Sequence, residues 1–165
     1  MADRTITERL QPSLLDRLTD NAPENANEAR DQRVIDIRRL RDIIRRDLAW
    51  LLNTNNHETL IDRVKHPHAL TSTINYGIRE VAGGMSTVRR ATEIRDTIRE
   101  AIIRFEPRIR PETVRVELRQ EEDRANTIIN FDIRADMWAQ PVPLELYIRS
   151  EVNVVTGELK LDRAG

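Results

Sequence analysis

Cysteine is absent from the 165-residue chain, which excludes a disulfide framework, a thiolate metal site and a thiol nucleophile. No apolar run approaches the roughly 20 residues that a membrane-spanning helix needs, and the first residues lack the basic and then apolar pattern of a signal peptide. The expectation is a soluble, cytoplasmic protein with no direct membrane insertion. Lysine occurs only at Lys65 and Lys160, so arginine carries the positive charge; no function follows from that bias. The net charge is -1 although 33% of residues are charged. Both signs are interspersed, which leaves no long-range field to recruit nucleic acid. Aromatic residues make up 4% of the chain, too few to offer many platforms for stacking a sugar. The length suits one domain with tails and is short for two full cores.

What the chain has is a change of period near its middle. From Thr87 to Arg110, Val88, Ala91, Ile94, Ile98, Ala101, Ile102 and Phe105 recur at three- and four-residue spacing. They predict an amphipathic core helix with Arg89, Arg90, Glu93, Asp96, Arg99 and Glu100 on its wet face. Pro107 has no N–H to donate and disfavours the helical conformation at the residue before it, so the helix is expected to stop at about Phe105. Glu106 is then left at the carbonyl end, where a carboxylate opposes the helix dipole and needs a cation; Arg104, Arg108 and Arg110 are the local candidates. After Arg110-Pro111 the period becomes two. Val114, Val116 and Leu118 alternate with charged residues, as do Ile129, Phe131, Ile133, Ala135 and Met137 after a turn over 120–125. A third strand follows the Gln-Pro-Val-Pro stretch 140–143, with Leu144, Leu146, Ile148, Val152 and Val154 on one face. Thr156-Gly157 then turns into a short last segment around Leu159 and Leu161.

Before the long helix, a second amphipathic helix covers about Val34 to Leu52, with Ile37, Leu40, Ile44, Leu48 and Leu51 on one face, widened by Trp50 and Leu52. Arg38, Arg41, Asp42, Arg45 and Arg46 take the other face, and 53–56 ends the helix by turn chemistry. Leu60, Ile61 and Val64 lie at helical spacing in a polar stretch closed by His66-Pro67-His68. Two histidines across a proline with no third ligand nearby read as a solvated turn, and no metal site is assigned. Ser72 to Gly77 predicts a capped short helix stopped by glycine. Gly83-Gly84 lacks the lysine of a P-loop and follows no strand, so no nucleotide or other cofactor is expected. Nearer the N-terminus, Leu10, Pro12, Leu14, Leu15 and Leu18 form a small apolar cluster that cannot make a core alone. Ser13 can cap one helical turn carrying Leu14, Leu15 and Leu18, which then needs a groove on its own domain or on a partner. The Asn-, Ala-, Glu- and Pro-rich stretch 21–31 reads as a flexible linker. The expected organisation is a flexible N-terminal segment over 1–33 and an α+β domain over 34–165. In that domain, N-terminal helices and one long helix pack on the dry face of a small antiparallel sheet.

Several stretches together, Pro12 to Asp20, Leu48-Ala49-Trp50-Leu51-Leu52-Asn53-Thr54, Ile74-Asn75-Tyr76-Gly77, Arg104-Phe105-Glu106-Pro107-Arg108 and Thr156-Gly157-Glu158, resemble the TssE family. These are type VI secretion baseplate subunits of the phage baseplate-wedge, lysozyme-like group. The match covers most of the chain; it departs from the family pattern at Ala49, where an acid is common, and at Arg79-Glu80-Val81-Ala82. The resemblance implies a cytoplasmic wedge component at the inner-membrane-associated baseplate. It would join TssF and TssG and give the TssB/TssC contractile sheath its starting surface. It also makes Glu106, Pro107 and Arg108 a sheath-assembly motif.

The lysozyme-like name raises peptidoglycan hydrolysis, with Glu106 as general acid, and a small regulatory adaptor is a third possibility. A glycosidase needs a second carboxylate roughly 5 to 9.5 Å away and a sugar-holding cleft. The sequence shows no partner for Glu106, and its arginine-rich setting lowers a carboxyl pKa where a general acid needs it raised. The reading is therefore structural, with no catalytic residue. Glu106 and Arg108 fix how helix and sheet edge meet, sheath segments add as strands, and Leu14, Leu15 and Leu18 dock on the wedge. On this reading the Glu106–Arg108 pair is an exposed helix-end pair, and Glu106→Lys leaves a folded protein.

Overall fold

The structure, a computed structural model, describes residues 13–19, 23–24, 37–83, 87–119, 127–138 and 144–163. The expected linker over 21–31, the turn over 120–125, the Gln-Pro-Val-Pro stretch and Val34 to Asp36 lie largely or wholly outside them. The helices are α1 (Leu14–Leu18), α2 (Ile37–Leu52) and α3 (Val88–Phe105), and the strands are β1 (Arg115–Arg119), β2 (Ile128–Met137), β3 (Leu144–Asn153) and β4 (Leu159–Arg163). The strands form one antiparallel sheet in the order β1-β2-β3-β4, a meander, so the fold is α+β as the change of period predicts. Ile44, Leu48 and Leu52 of α2 and Ile94, Ile98 and Ile102 of α3 are sealed against Phe131, Ile133, Ile148 and Val152 of the sheet. Each such side chain contributes about 1.5 to 3 kcal/mol of burial.

Local chemistry sets the boundaries. The Thr87 hydroxyl accepts from the Arg90 N–H and starts α3, and Ser13 caps α1 by accepting from the Asp16 N–H. Asn53 ties the end of α2 to the first residue of β4. Its amide donates to the Ala49 and Leu159 carbonyls, both at 2.8 Å, and its oxygen accepts from the Leu159 N–H at 2.9 Å. Gly77, at φ +116, lets the chain pass against the backbone of Thr54, where Ile78 N–H donates to the Thr54 carbonyl at 2.8 Å.

Periodicity overreaches at five places. Val88, the first residue of α3, is exposed, and Trp50 lies on the solvent side of α2. Leu60 and Val64 are exposed, in a short 3₁₀ turn (Glu58–Leu60) and the turn after it rather than a helix. Leu118 is half exposed because β1 is an edge strand.

Candidate functional site

Glu106 caps the C-terminus of α3, its N–H donating to the Ile102 carbonyl at 3.0 Å. Pro107 ends the helix there, and Ile109 N–H closes a turn onto the Glu106 carbonyl at 3.1 Å. The chain then runs extended along the end of β2. Ile109 bridges Met137, Arg110 N–H donates to the Asp136 carbonyl at 2.9 Å, and Trp138 N–H to the Arg108 carbonyl at 2.8 Å. Residues 108–110 thus lie on the same side of β2 as β1, and the motif joins the helix layer to the β1 edge.

The motif is buried, which corrects the expectation of an exposed helix-end pair. Glu106 is 5% exposed. Arg108 grips it as a fork, Nε donating to Oε1 at 2.7 Å and Nη2 to Oε2, while the Arg108 backbone N–H adds a third bond to Oε1 at 3.1 Å. Of the three candidate cations it is Arg108 that answers the carboxylate. Arg104 donates to the Leu70 carbonyl and Arg110 pairs with Glu112.

The same Nη2 also donates to Asp47 Oδ2 of α2 at 2.7 Å. Asp47 Oδ1 accepts from Arg46, Nε at 3.0 Å and Nη2 at 2.7 Å, and Arg46 Nη1 reaches Asp16 Oδ1 of α1 at 2.6 Å. Ser13 Oγ–H donates to Asp16 as well. Alternating charges therefore run from α1 through α2 to the motif, Asp16–Arg46–Asp47–Arg108–Glu106. Hydrogen bonding to Glu106, above all, pushes the Arg108 guanidinium further up, and that to Asp16 does the same for Arg46. Burial, and after it the Asp47 and Glu106 carboxylates, raise the Tyr76 phenol, whose ring meets Phe105 edge-on at 5.3 Å. Sequence reasoning put Arg46 on the wet face and missed Asp47. The available signal was position: Asp47 directly precedes Leu48, which is fully buried, so it sits at the border of the apolar stripe.

The Arg46 hydrogen bond holds the Asp16 carboxyl below its usual value. A carboxyl depressed by folding adds stability that is fully present above the unfolded value and is lost as pH falls through the folded one. The hold of α1 on α2 is therefore expected to persist through neutral pH and to release only on acidification below about pH 4. Following α1 amides by NMR from pH 7 to pH 3 checks this; release near pH 6 contradicts it.

The model of the family described as "Baseplate wedge protein gp25" matches residues 38–142. The chain belongs to this baseplate wedge family. No curated protein and no solved structure matches it. TssE is of the same family, in line with the resemblance read from the motifs. Baseplate wedge proteins of this family are structural, which sets the coarse role of the chain as a structural component of a phage-type or type VI secretion baseplate. The match holds α2 from Arg38, α3, β1 and β2, hence Asp47, Tyr76 and the whole Glu-Pro-Arg motif, while α1 lies before it.

Two further observations bear on the wedge chain. A second carboxylate does accompany Glu106, contrary to the sequence argument, since Asp47 shares Arg108 Nη2 with it. The guanidinium lies between the two acids and takes up the oxygens that a water or a glycosidic oxygen would need, a salt-bridged arrangement rather than an acid–base pair. The second observation concerns α1. Its three leucines are exposed rather than packed on their own domain, and the helix is held by the Asp16–Arg46 pair. Among the described residues no group of three or more metal-ligating side chains occurs, and no helix is long and apolar enough to cross a membrane.

Proposed function

We propose that this baseplate wedge chain serves a type VI secretion system. It joins TssF and TssG, and it starts the TssB/TssC sheath by accepting a sheath segment as an added strand at the β1 edge. The observation that carries this reading is the path of the motif: helix α3 ends in the Glu106–Arg108 fork, and residues 108–110 run along the end of β2 in line with β1. Glu106, Pro107 and Arg108 then set the angle at which the edge is offered. The register turns the backbone N–H and C=O groups of Arg115, Glu117 and Arg119 toward β2 and those of Val116 and Leu118 outward. The other edge is less suited, because the Asn53 amide already occupies both outward groups of Leu159 on β4. An incoming strand gains main-chain hydrogen bonds at alternate residues, the usual basis of strand addition.

Hydrogen exchange tests the reading. The Val116 and Leu118 amides are expected to exchange readily in the isolated chain and to slow at least tenfold once TssB/TssC is bound. Unchanged exchange in a bound complex contradicts strand addition at this edge.

The leucine helix is the wedge-docking segment in this account, the part of an N-terminal segment over 1–33 that the Asp16–Arg46 pair ties to the domain over 34–165. Burying Leu14, Leu15 and Leu18 on a partner is worth roughly 1.5 to 3 kcal/mol each before ordering costs. A chain beginning at Val34 is expected to melt within a few degrees of the full chain and to co-purify much less TssF and TssG. Equal co-purification gives the peptide another role.

A further inference from the structure

Helix α1 and the end of α2 meet at one side chain. Arg46 binds Asp16 of α1 at 2.6 Å, and its guanidinium lies 4.9 Å from the centre of the Trp50 ring. It thereby sets an exposed leucine helix beside an exposed indole. Leu14 is 70% exposed, Leu15 48%, Leu18 75% and Trp50 51%. Trp50 is one of two tryptophans in the chain, and α2 has a buried face that it does not use. A half-exposed indole under a guanidinium, next to unburied leucines, has the composition of an interface anchor and not of a solvated face.

We propose that Leu14, Leu15, Leu18 and Trp50 form one docking surface for a partner element that presents an apolar face bordered by carboxylates. This rests on the reading of α1 as a docking segment and extends it onto α2. The border charge follows from α2 itself: Arg46 and Asp47 are already paired with each other and with Asp16 and Arg108, and the rest of the helix carries Arg38, Arg39, Arg41 and Arg45 against Asp42. A second copy of this chain would bring the same arginines together, whereas an acidic rim on the partner complements them. Arg46 is the keystone: it neutralises Asp16, stacks on Trp50, and keeps the two apolar parts side by side. A free leucine peptide would have to be ordered on binding, and the pre-set arrangement lowers that cost.

The test uses the full chain co-expressed with tagged TssF and TssG. Trp50→Ala, Trp50→Gln and the triple Leu14→Ala, Leu15→Ala, Leu18→Ala are each expected to lower the bound fraction at least tenfold. Combining Trp50→Ala with the triple should lower it by less than the product of the two effects, because they share one surface. Binding should weaken further as salt is raised, and each variant should melt close to the parent. Binding lowered by the leucine substitutions and untouched in both Trp50 variants overturns the composite surface and leaves the docking helix standing. No binding by the parent chain overturns both. A dimer in sedimentation that Trp50→Ala dissociates overturns the heterotypic partner.

Discussion

Arg108→Ala is expected to lower the stability of the chain by about 3 kcal/mol, the lower end of the cost of removing one partner from a buried ion pair. Arg108 keeps 29% of its side-chain exposure while Glu106 keeps 5%, which places the estimate at that end. Without Arg108 the Glu106 carboxylate loses its fork and Asp47 loses one of its two arginines, so two acids are left facing each other across the α2–α3 junction. At roughly 2 to 4 °C per kcal/mol for a chain of this size, the melting temperature should fall by about 6 to 12 °C. Glu106→Lys should cost at least as much, since it sets a second cation against Arg108 in a buried position, more than the exposed helix-end pair expected from the sequence would cost. Calorimetry of the two variants decides. A loss below about 1 kcal/mol, the value of an exposed pair, contradicts the buried node.

The second large effect is expected at Gly77. A Cβ at this residue would lie 2.2 Å from the Thr54 carbonyl oxygen, and φ of +116 is a conformation L side chains rarely adopt. Backbone cannot move aside as a flexible side chain does. The bridge that brings the two segments together, Ile78 N–H to the Thr54 carbonyl and Asn56 N–H to the Ile78 carbonyl, both 2.8 Å, holds the chain at this distance. Overlap and backbone strain of about 1 to 3 kcal/mol each put Gly77→Ala at about 2 to 6 kcal/mol. Tyr76, next to the glycine, packs on Phe105 at the end of α3, so the distortion should reach the motif. Urea unfolding of Gly77→Ala measures this, with Gly83→Ala as the comparison, since a Cβ at Gly83 has nothing within 4 Å. Equal losses at the two positions mean that the close approach to Thr54 is not what counts.

The sequence was legible where the cause is local. Pro107 ends α3 at Phe105, Thr87 and Ser13 cap their helices, and the switch to a period of two marks β1 and β2. It was less legible where a partner far along the chain decides. Nothing near Asp47 in sequence says that Arg108, 61 residues later, will bind it, or that Asp16 will reach Arg46 from 30 residues before. The Asp47–Arg108 contact follows from the packing of α2 against α3, which brings ions together only after the apolar stripes have met, and the Asp16–Arg46 contact from the seat of α1 beside α2. The same gap explains Trp50 and Val88, since an apolar residue at helical spacing is buried only if a neighbouring element reaches it. Glu106 shows both sides at once: its need for a cation followed from the helix end, while its burial, and so the size of the effect, followed from layers that periodicity does not locate.

In this account the motif acts on assembly through the shape that the fork holds, and Glu106→Gln isolates that claim. The amide keeps the volume of the side chain but offers one acceptor oxygen where the fork needs two, and it turns an N–H₂ group toward Arg108. The measurement is fluorescent TssB/TssC sheath formation in cells carrying Glu106→Gln, scored beside the melting temperature of the purified variant and its co-purification with TssF and TssG. A protein that melts well above growth temperature, still joins the wedge and starts no sheath is the predicted result. Normal sheaths in cells whose only copy carries Glu106→Gln would contradict it.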